Sequence, residues 1–366
     1  MQCPLLPPRL LPRPWSDDFV IRVPPDSSNA GPGFGYPAFG VYLKSDMRVP
    51  GLTESANPGL PGVRLSMGSQ PSGFNRDDYT NVWYESRYQA TSGQPFLSIL
   101  TTAAHGDEHP AFWLKYADGT SVFFGENITR ISVTWPSSSC IEDAATYLLG
   151  PVMAVFAQLR GTTCLHGSAV IIDGVTIALL GPQGAGKSTS AAAFARAGYP
   201  VVADDLILLL ESDSGFMVEP TYPVVRLWPS AVESLFGDED ALPRLIPTWD
   251  KRGLHLNDGD YRFQTEPRPL AAVYLLGERS GDDSAPHLAP VTGAAALMKL
   301  VSNSWGHYAD KPAILASQLQ VLTRLSQTVP IRQLIAHKDS GRIPQLCQLL
   351  IGDVRSIRSD SASVGE

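Results

Sequence analysis

The sequence predicts an α/β protein in which a P-loop nucleotide-binding domain follows a smaller, mostly antiparallel β subdomain. Three observations carry this prediction. Residues 181–189 match the phosphate-binding pattern G-x-x-x-x-G-K-[ST] at every specified position. An apolar run at 175–180 precedes the motif as a buried strand, and an Ala-rich helix former at 188–196 follows it. Upstream, short β-branched and aromatic runs between residues 82 and 135 predict the β subdomain.

Composition and charge limit the classes of partner. The chain has 366 residues, enough for two domains or one large decorated domain. Its formal net charge of −8 argues against nucleic acid or an anionic membrane as a partner. Its four cysteines are scattered, and residues 1–13 lack the features of a signal peptide. The apolar runs are too short to span a bilayer. We therefore expect a cytoplasmic protein.

Four segments follow from the pattern along the chain. Residues 1–75 are rich in Pro, Gly and Ser and predict a loop-dominated N-terminal segment with room for short strands. Residues 76–140 predict the antiparallel β subdomain, in which Asp118-Gly119 joins strands at 112–116 and 121–124. Residues 141–353 predict the P-loop kinase domain, and the polar residues 354–366 predict a disordered tail.

The predicted P-loop domain opens with a buried helix. One of the serines at 137–139 caps it, and Gly150-Pro151 kinks it before it ends near residue 158. Asp173-Gly174, between two apolar runs, predicts a two-residue hairpin turn. Later strands are expected at 201–203, 206–210, 216–218, 224–227, 270–276 and 331–335, and helices at 230–236, 293–304, 311–327 and 343–350.

The hairpin register brings a histidine to the phosphate loop. If Ile172 faces Val175, counting outward sets His166 opposite Gly181. We predict its ring within about 5–6 Å of the Asp204 carboxylate or of the phosphate site, a distance that one water can bridge. A neighbouring carboxylate would raise the pKa of this imidazole.

The P-loop motif specifies the chemistry of a nucleotide site. Its backbone N–H groups and the N-terminus of the following helix bind phosphate oxygens. Lys187 reaches the β- and γ-phosphates, and the Ser188 hydroxyl is a magnesium ligand. ATP and Mg²⁺ are therefore the expected ligands. The predicted ATP-binding residues are Gly181, Pro182, Gln183, Gly184, Ala185, Gly186, Lys187, Ser188 and Thr189.

Two adjacent carboxylates end the strand beside the loop. Asp204 and Asp205 follow Val202-Ala203 in an apolar stretch, where unpaired carboxylates are costly to bury. A carboxylate at this place in a P-loop protein commonly lies at the magnesium ion. We assign Asp205, with Ser188, to the metal.

The middle of the chain resembles the catalytic domain of HPr serine kinase/phosphorylase. The resemblance rests on His166-Gly167, the Asp173-Gly174 turn, the P-loop, Gly198-Tyr199 and the sequence Val-Ala-Asp-Asp at 202–205. The flanks at 147–151 and 222–229 are similar to HPr-kinase-related bacterial serine kinases. The resemblance implies a phosphoenolpyruvate-carboxykinase-like P-loop fold. It also implies that Asp204 accepts the proton of the attacking hydroxyl. We expect Lys187 to neutralise charge on the transferring group and His166 to orient a phosphate or the Asp204 carboxylate. Relatives in the family are oligomeric, so a homo-oligomer is a further expectation.

Three features depart from the family pattern. Thr189 follows Ser188 where a glutamate is usual, and the family's magnesium-ligating glutamate has no clear counterpart, Glu219 being the candidate. Lys251-Arg252-Gly253-Leu254 lacks the acid and the second glycine of the corresponding family segment. Residues 249–252 and Tyr261-Arg262 are predicted in polar loops, either as extra cationic contacts or as solvated side chains.

These observations favour an ATP-dependent phosphotransferase that acts on a hydroxyl, expected to be a serine of a protein or peptide. Two alternatives remain open. One is an accessory module that binds or hydrolyses ATP without transferring phosphate. The other is a kinase for a small metabolite. The sequence does not name the phosphate acceptor, and it leaves open whether HPr is that acceptor.

Overall fold

A computed structural model describes residues 33–56, 60, 62–103, 109–213, 215–247, 249–305 and 312–363. The strands between residues 34 and 134 form an eight-stranded sheet with the strand order β1-β2-β3-β8-β7-β6-β5-β4. The pairs β2–β3 and β3–β8 are parallel, and the other neighbours are antiparallel. Its strands are β1 (Phe34–Ala38), β2 (Val41–Ser45), β3 (Gly62–Met67), β4 (Asn81–Glu85), β5 (Leu97–Thr101), β6 (Phe112–Tyr116), β7 (Ser121–Phe124) and β8 (Arg130–Thr134).

A broken helix connects this sheet to the second one. It consists of α1 (Ile141–Tyr147), a π-helical turn (Leu148–Val152) and α2 (Met153–Leu159). The kink predicted at Gly150-Pro151 is present, because Gly150 leaves helical geometry at φ −112° and ψ −106°. The predicted serine cap is wrong. Cys140 occupies the N-cap position, and its backbone N–H donates to the Asp143 carboxylate at 2.9 Å.

The second sheet carries the P-loop strand. It is mixed and has the order β10-β9-β12-β13-β17-β19-β18, with β11 paired to β9 and β10 also paired in parallel to β17. Its strands are β9 (Thr163–Ile172), β10 (Val175–Leu180), β11 (Val201–Ala203), β12 (Leu206–Ser212), β13 (Gly215–Glu219), β17 (Arg268–Leu276), β18 (His287–Pro290) and β19 (Ile331–Ile335). The chain is thus a mixed α/β protein, as predicted.

Helices and a small third sheet complete the fold. Strands β14 (Val224–Leu227), β15 (Arg244–Ile246) and β16 (Trp249–His255) form the small sheet with β16 in the middle. The remaining helices are α3 (Lys187–Arg196), α4 (Pro229–Phe236), α5 (Gly293–Ser302), α6 (Pro312–Thr328) and α7 (Ile343–Ser363). None of the helices in the described residues is long and apolar enough to cross a bilayer.

Two boundaries differ from the sequence prediction. The described part of the segment 1–75 contributes β1, β2 and β3, and these short strands belong to the same sheet as those of the predicted β subdomain. The predicted disordered tail from residue 354 is helical as far as Ser363. The Arg355 guanidinium binds the Asp173 carboxylate at 2.8 Å, and Arg358 donates to the Asp173 backbone carbonyl. The β9–β10 turn therefore anchors the end of α7.

Three apolar clusters hold these layers together. The first joins the eight-stranded sheet to α1, α2 and the near ends of β9 and β12. The other two cover the two faces of the second sheet, one with α3 and α7 and the other with α5 and α6. Strands β10, β11 and β17 run in the same direction, so their carboxyl ends meet at one edge of the sheet. Helices cover both faces of the sheet and leave this edge open, and ligands bind at such edges in open α/β sheets.

Candidate active site

The P-loop joins β10 to α3 at this edge. Gly181 has φ 150°, and a Cβ on it would lie 2.4 Å from the Leu276 carbonyl oxygen of β17. Gly186 is the N-cap of α3 with φ 103°. Both positions therefore require glycine, the first for the close approach of two backbones and the second for its left-handed conformation.

Lys187 is held inside the loop. Its Nζ donates to the backbone carbonyls of Gly181 at 2.8 Å and Pro182 at 3.1 Å, and the residue is 7% exposed. Burial lowers the pKa of this ammonium below its ordinary value, while Asp204 and Asp205 act to raise it. A phosphate bound in the loop would replace these two carbonyl oxygens around the Lys187 ammonium with negatively charged phosphate oxygens.

The loop forms one wall of a cavity of about 690 Å³. We call this side the P-loop wall (residues 183–190), and we call the side built from Arg226–Trp228, Trp249 and Lys251 the β14–β16 wall. His166 and Asp205 also line the cavity, and residues 336–343 border it. A second cavity of about 830 Å³ lies on the other side of the loop, against the end of β17.

The hairpin register is as predicted. Val175 pairs with Ile172 and Leu180 pairs with Gly167, so His166 follows at the level of Gly181. The His166 Nδ1 lies 3.0 Å from the Asp205 backbone oxygen and 3.4 Å from its carboxylate Oδ1. The contact is thus with Asp205 rather than with Asp204. The predicted rise in pKa is wrong, because burial of the imidazole lowers its pKa and outweighs the charge of Asp205.

The two adjacent aspartates have opposite environments. Asp204 is 1% exposed, and its carboxylate accepts hydrogen bonds from the Ser168 hydroxyl at 2.6 Å and from the Arg226 backbone N–H at 2.9 Å. Asp205 has φ 71°, which turns its side chain the other way, into the cavity. Of the pair, Asp205 is the one that a ligand on the P-loop can reach.

The sequence analysis assigned no role to two arginines beside the cavity, Arg226 and Arg279. The Arg226 guanidinium is buried 3.7 Å from the Asp205 carboxylate, over the ring of Tyr222. Arg279 follows β17, and its Nη2 lies 3.0 Å from the position of a Cβ on Gly186. One signal could have found Arg279. A cation directly after a strand parallel to the P-loop strand must lie at the same sheet edge.

Residues 249–252 were predicted in a polar loop, but they begin β16. Successive side chains of a strand point to opposite faces. Asp250 and Arg252 accordingly pair with Arg244 at 3.2 Å and Asp240 at 2.7 Å, whereas Lys251 lines the cavity.

Two other candidates lie away from the cavity. Glu219 packs against Gly40 of the β1–β2 turn and is not among the residues that line the cavity with Ser188. The Arg262 guanidinium donates to the backbone carbonyl of Gly198 at 2.6 Å, behind α3.

The residues present fit a magnesium ion that shares its ligands with phosphate. Ser188 and Asp205 both line the cavity and offer a hydroxyl and a carboxylate oxygen. Mg²⁺ keeps several waters and binds one or two protein oxygens beside substrate phosphates. Within the described residues no group of three or more His, Cys, Asp or Glu side chains could form a metal cage.

Comparison with known proteins points to one family. HPr kinase/phosphorylase of Exiguobacterium sibiricum is 37% identical over 179 residues, which cover 48% of this chain and 52% of that protein. The resemblance read from the motifs is confirmed. The same-named proteins of Geobacillus sp. and Bacillus licheniformis are 36% and 34% identical over 62 residues, 17% of this chain and 20% of each of them. The chain spans about half the length of the first of these relatives.

Two further comparisons bear on the fold. No family model matches the chain. The solved HPr(Ser) kinase/phosphatase of Coxiella burnetii aligns with 12% identity and a TM-score of 0.27, over 54% of this chain and 98% of that one. A TM-score this low does not establish a shared fold.

Proposed function

We propose that this chain is an ATP-dependent phosphotransferase that moves the γ-phosphate to a hydroxyl, a serine of a protein or peptide. One observation carries the proposal. The P-loop residues Lys187 and Ser188 and the carboxylate of Asp205 line a single cavity. Phosphoryl transfer needs phosphate positioning, neutralised charge and an oriented nucleophile, and this cavity offers groups for each. The relatives named HPr kinase/phosphorylase support the same class of reaction.

Phosphate binding comes from the loop and from the cations around it. The backbone N–H groups of 183–188 and the N-terminus of α3 would receive the phosphate chain. Lys187 would exchange its loop carbonyls for β- and γ-phosphate oxygens, and Arg279 would approach from the end of β17. Their positive charges offset the negative charge on the transferring group.

Proton acceptance is better assigned to Asp205 than to Asp204. A carboxylate that is 1% exposed and hydrogen-bonded at both oxygens is not available to an acceptor hydroxyl. Asp205 faces the cavity, and His166 would position it by donating from Nδ1 to its backbone oxygen. Asp204 instead ties β11 to Ser168 of β9 and to β14.

Magnesium would be held by the Ser188 hydroxyl and an Asp205 oxygen, beside the phosphates. When bound, the ion supplies charge neutralisation and fixes the geometry of the phosphate chain. For residues 141–353 we propose the P-loop architecture of the HPr-kinase and phosphoenolpyruvate-carboxykinase type. We also propose a cytoplasmic location, from the scattered cysteines, and a homo-oligomer, from the family resemblance.

The test is transfer of label from [γ-³²P]ATP in the presence of Mg²⁺. Purified wild-type protein would be incubated with HPr, with serine-containing peptides, with small hydroxyl metabolites and with cell lysate. We expect label in an acid-stable phosphoserine product, and none with Lys187→Ala. Label that appears in inorganic phosphate alone would favour an ATP-hydrolysing accessory module. Label in a metabolite would favour a small-molecule kinase.

A further inference from the structure

The β14–β16 wall presents one lysine to the cavity. Trp249 and Lys251 are two residues apart on β16, so their side chains share the face of the strand that lines the cavity. Leu227 of β14 pairs with Arg252, which places Trp228 beside Lys251. The Lys251 Nζ lies 4.6 Å from the centroid of the Trp249 ring and 5.3 Å from that of Trp228. The two indoles lie nearly perpendicular, at 87°. The ammonium therefore has an indole ring on each of two sides.

This cation has aromatic neighbours but no anionic partner. Among the described residues, Lys251 forms no ion pair, while its strand neighbours Asp250 and Arg252 both do. A half-buried ammonium loses hydration, and contact with two indole faces compensates only part of that loss. The wall therefore holds a desolvated positive charge that an incoming anion would stabilise.

Lys187 faces the same cavity from the P-loop wall. Burial lowers the pKa of Lys251, and Asp205 acts to raise it. An anion between the two ammonium groups would relieve their repulsion.

We propose that Lys251 binds the terminal phosphate of the bound nucleotide from the β14–β16 wall, so that Lys187 and Lys251 close on the same phosphoryl group. The proposal rests on the phosphotransferase function proposed above and adds a catalytic residue to it. Lys251 would contact the γ-phosphate and not the β-phosphate, which lies deeper in the loop. The tryptophans hold the ammonium in place before the nucleotide arrives.

The experiment compares triphosphate with diphosphate. Binding of a non-hydrolysable ATP analogue and of ADP, both with Mg²⁺, would be measured by calorimetry for wild type, Lys251→Met and Lys251→Arg. Methionine keeps the apolar contacts with both indoles and removes only the charge. We expect Lys251→Met to weaken binding of the ATP analogue by about tenfold or more, which is the scale of a lost hydrogen bond between charged groups. The affinity for ADP should change by less than about twofold. Lys251→Arg should recover most of the loss.

A matched control lies in the first sheet. Lys115 sits over the Trp113 ring at 5.9 Å, far along the chain from the cavity, and Lys115→Met removes a lysine–tryptophan contact of the same kind. This variant should bind both nucleotides within about twofold of wild type. Equal losses for ATP analogue and ADP in Lys251→Met, or no loss, would overturn the proposal. So would an unchanged nucleotide affinity with a raised KM for the acceptor, which would assign Lys251 to an acceptor anion. If wild type binds neither nucleotide, the proposed function itself fails.

Discussion

The two walls of the cavity differ in how they are encoded. The P-loop wall is one continuous stretch, and its backbone geometry dictates the residue types, as at Gly184 and Gly186, which both have positive φ. The β14–β16 wall combines Arg226, Trp228 and Lys251 from strands that meet only through a ladder. No local sequence pattern brings these three residues together. A wall formed by the backbone of one continuous loop can therefore be predicted from the sequence. A wall formed by side chains of separate strands can be predicted only once the strand pairing is known.

The largest effect should come from the P-loop wall. Lys187→Ala removes the ammonium expected at the β- and γ-phosphates, so steady-state transfer should fall by at least about 100-fold. The exposed α5 lysine provides the control, since Lys299→Ala should stay within about twofold of wild type. Circular dichroism would establish that both variants are folded. Turnover of Lys187→Ala near the wild-type rate would remove the P-loop from the mechanism.

The two aspartates provide the next largest contrast. Asp205→Asn should reduce transfer by about 100-fold at saturating Mg²⁺ and leave the thermal unfolding temperature nearly unchanged, because an amide accepts no proton. Asp204→Asn should instead lower the free energy of unfolding by about 1–3 kcal/mol, because it weakens two buried hydrogen bonds to a charged group.

If Asp204→Asn lost transfer at unchanged stability while Asp205→Asn remained active, the proton-accepting role would belong to Asp204. Recovery of Asp205→Asn by excess Mg²⁺ alone would mean that Asp205 acts only as a metal ligand.

Glu219 tests whether a carboxylate outside both walls matters for transfer. Burial raises its pKa to about 7 from an ordinary value of 4.5. As the pH rises the unfolded chain releases this proton first, so the folded state loses stability between about pH 4.5 and pH 7. Glu219→Gln should remove about 2 kcal/mol of this loss and leave transfer within about twofold. Urea unfolding at pH 5 and pH 8 would measure it. An identical pH dependence in the two proteins would contradict the assignment.

Changes at His166 should reduce transfer less than changes at Lys187 or Asp205, since His166 acts through Asp205. Asparagine can still donate a hydrogen bond toward the Asp205 carbonyl and leucine cannot. We expect His166→Asn to keep kcat within about tenfold of wild type and His166→Leu to fall further, with the KM for ATP little changed in both. Equal losses in the two variants would rule out positioning through this hydrogen bond.

Parts of the fold and the site follow from the sequence for identifiable reasons. The Asp173-Gly174 turn fixes the β9–β10 register, because a slip of one residue would turn every side chain to the other face. The roles of Asp204 and Asp205 could not be separated in this way. Asp204 is the one buried in the protein because it binds Ser168 and the backbone of Arg226, which are 36 and 22 residues away along the chain.

The ends of the chain illustrate the same limit. The extension of α7 depends on Asp173, 182 residues from Arg355, and no local pattern records that contact. Strand β3 pairs in parallel with β8 across more than sixty intervening residues. Local composition there indicates loops and turns, while the tertiary pairing decides the strands.

The most direct test of the account is a crystal structure with a non-hydrolysable ATP analogue and Mg²⁺. We predict that the β- and γ-phosphates lie on the backbone N–H groups of the P-loop, about 3 Å from the Lys187 Nζ, with the Asp205 carboxylate facing the γ-phosphate and the Asp204 carboxylate still bound to Ser168. Phosphates bound only in the cavity at the end of β17, away from Asp205, would contradict it.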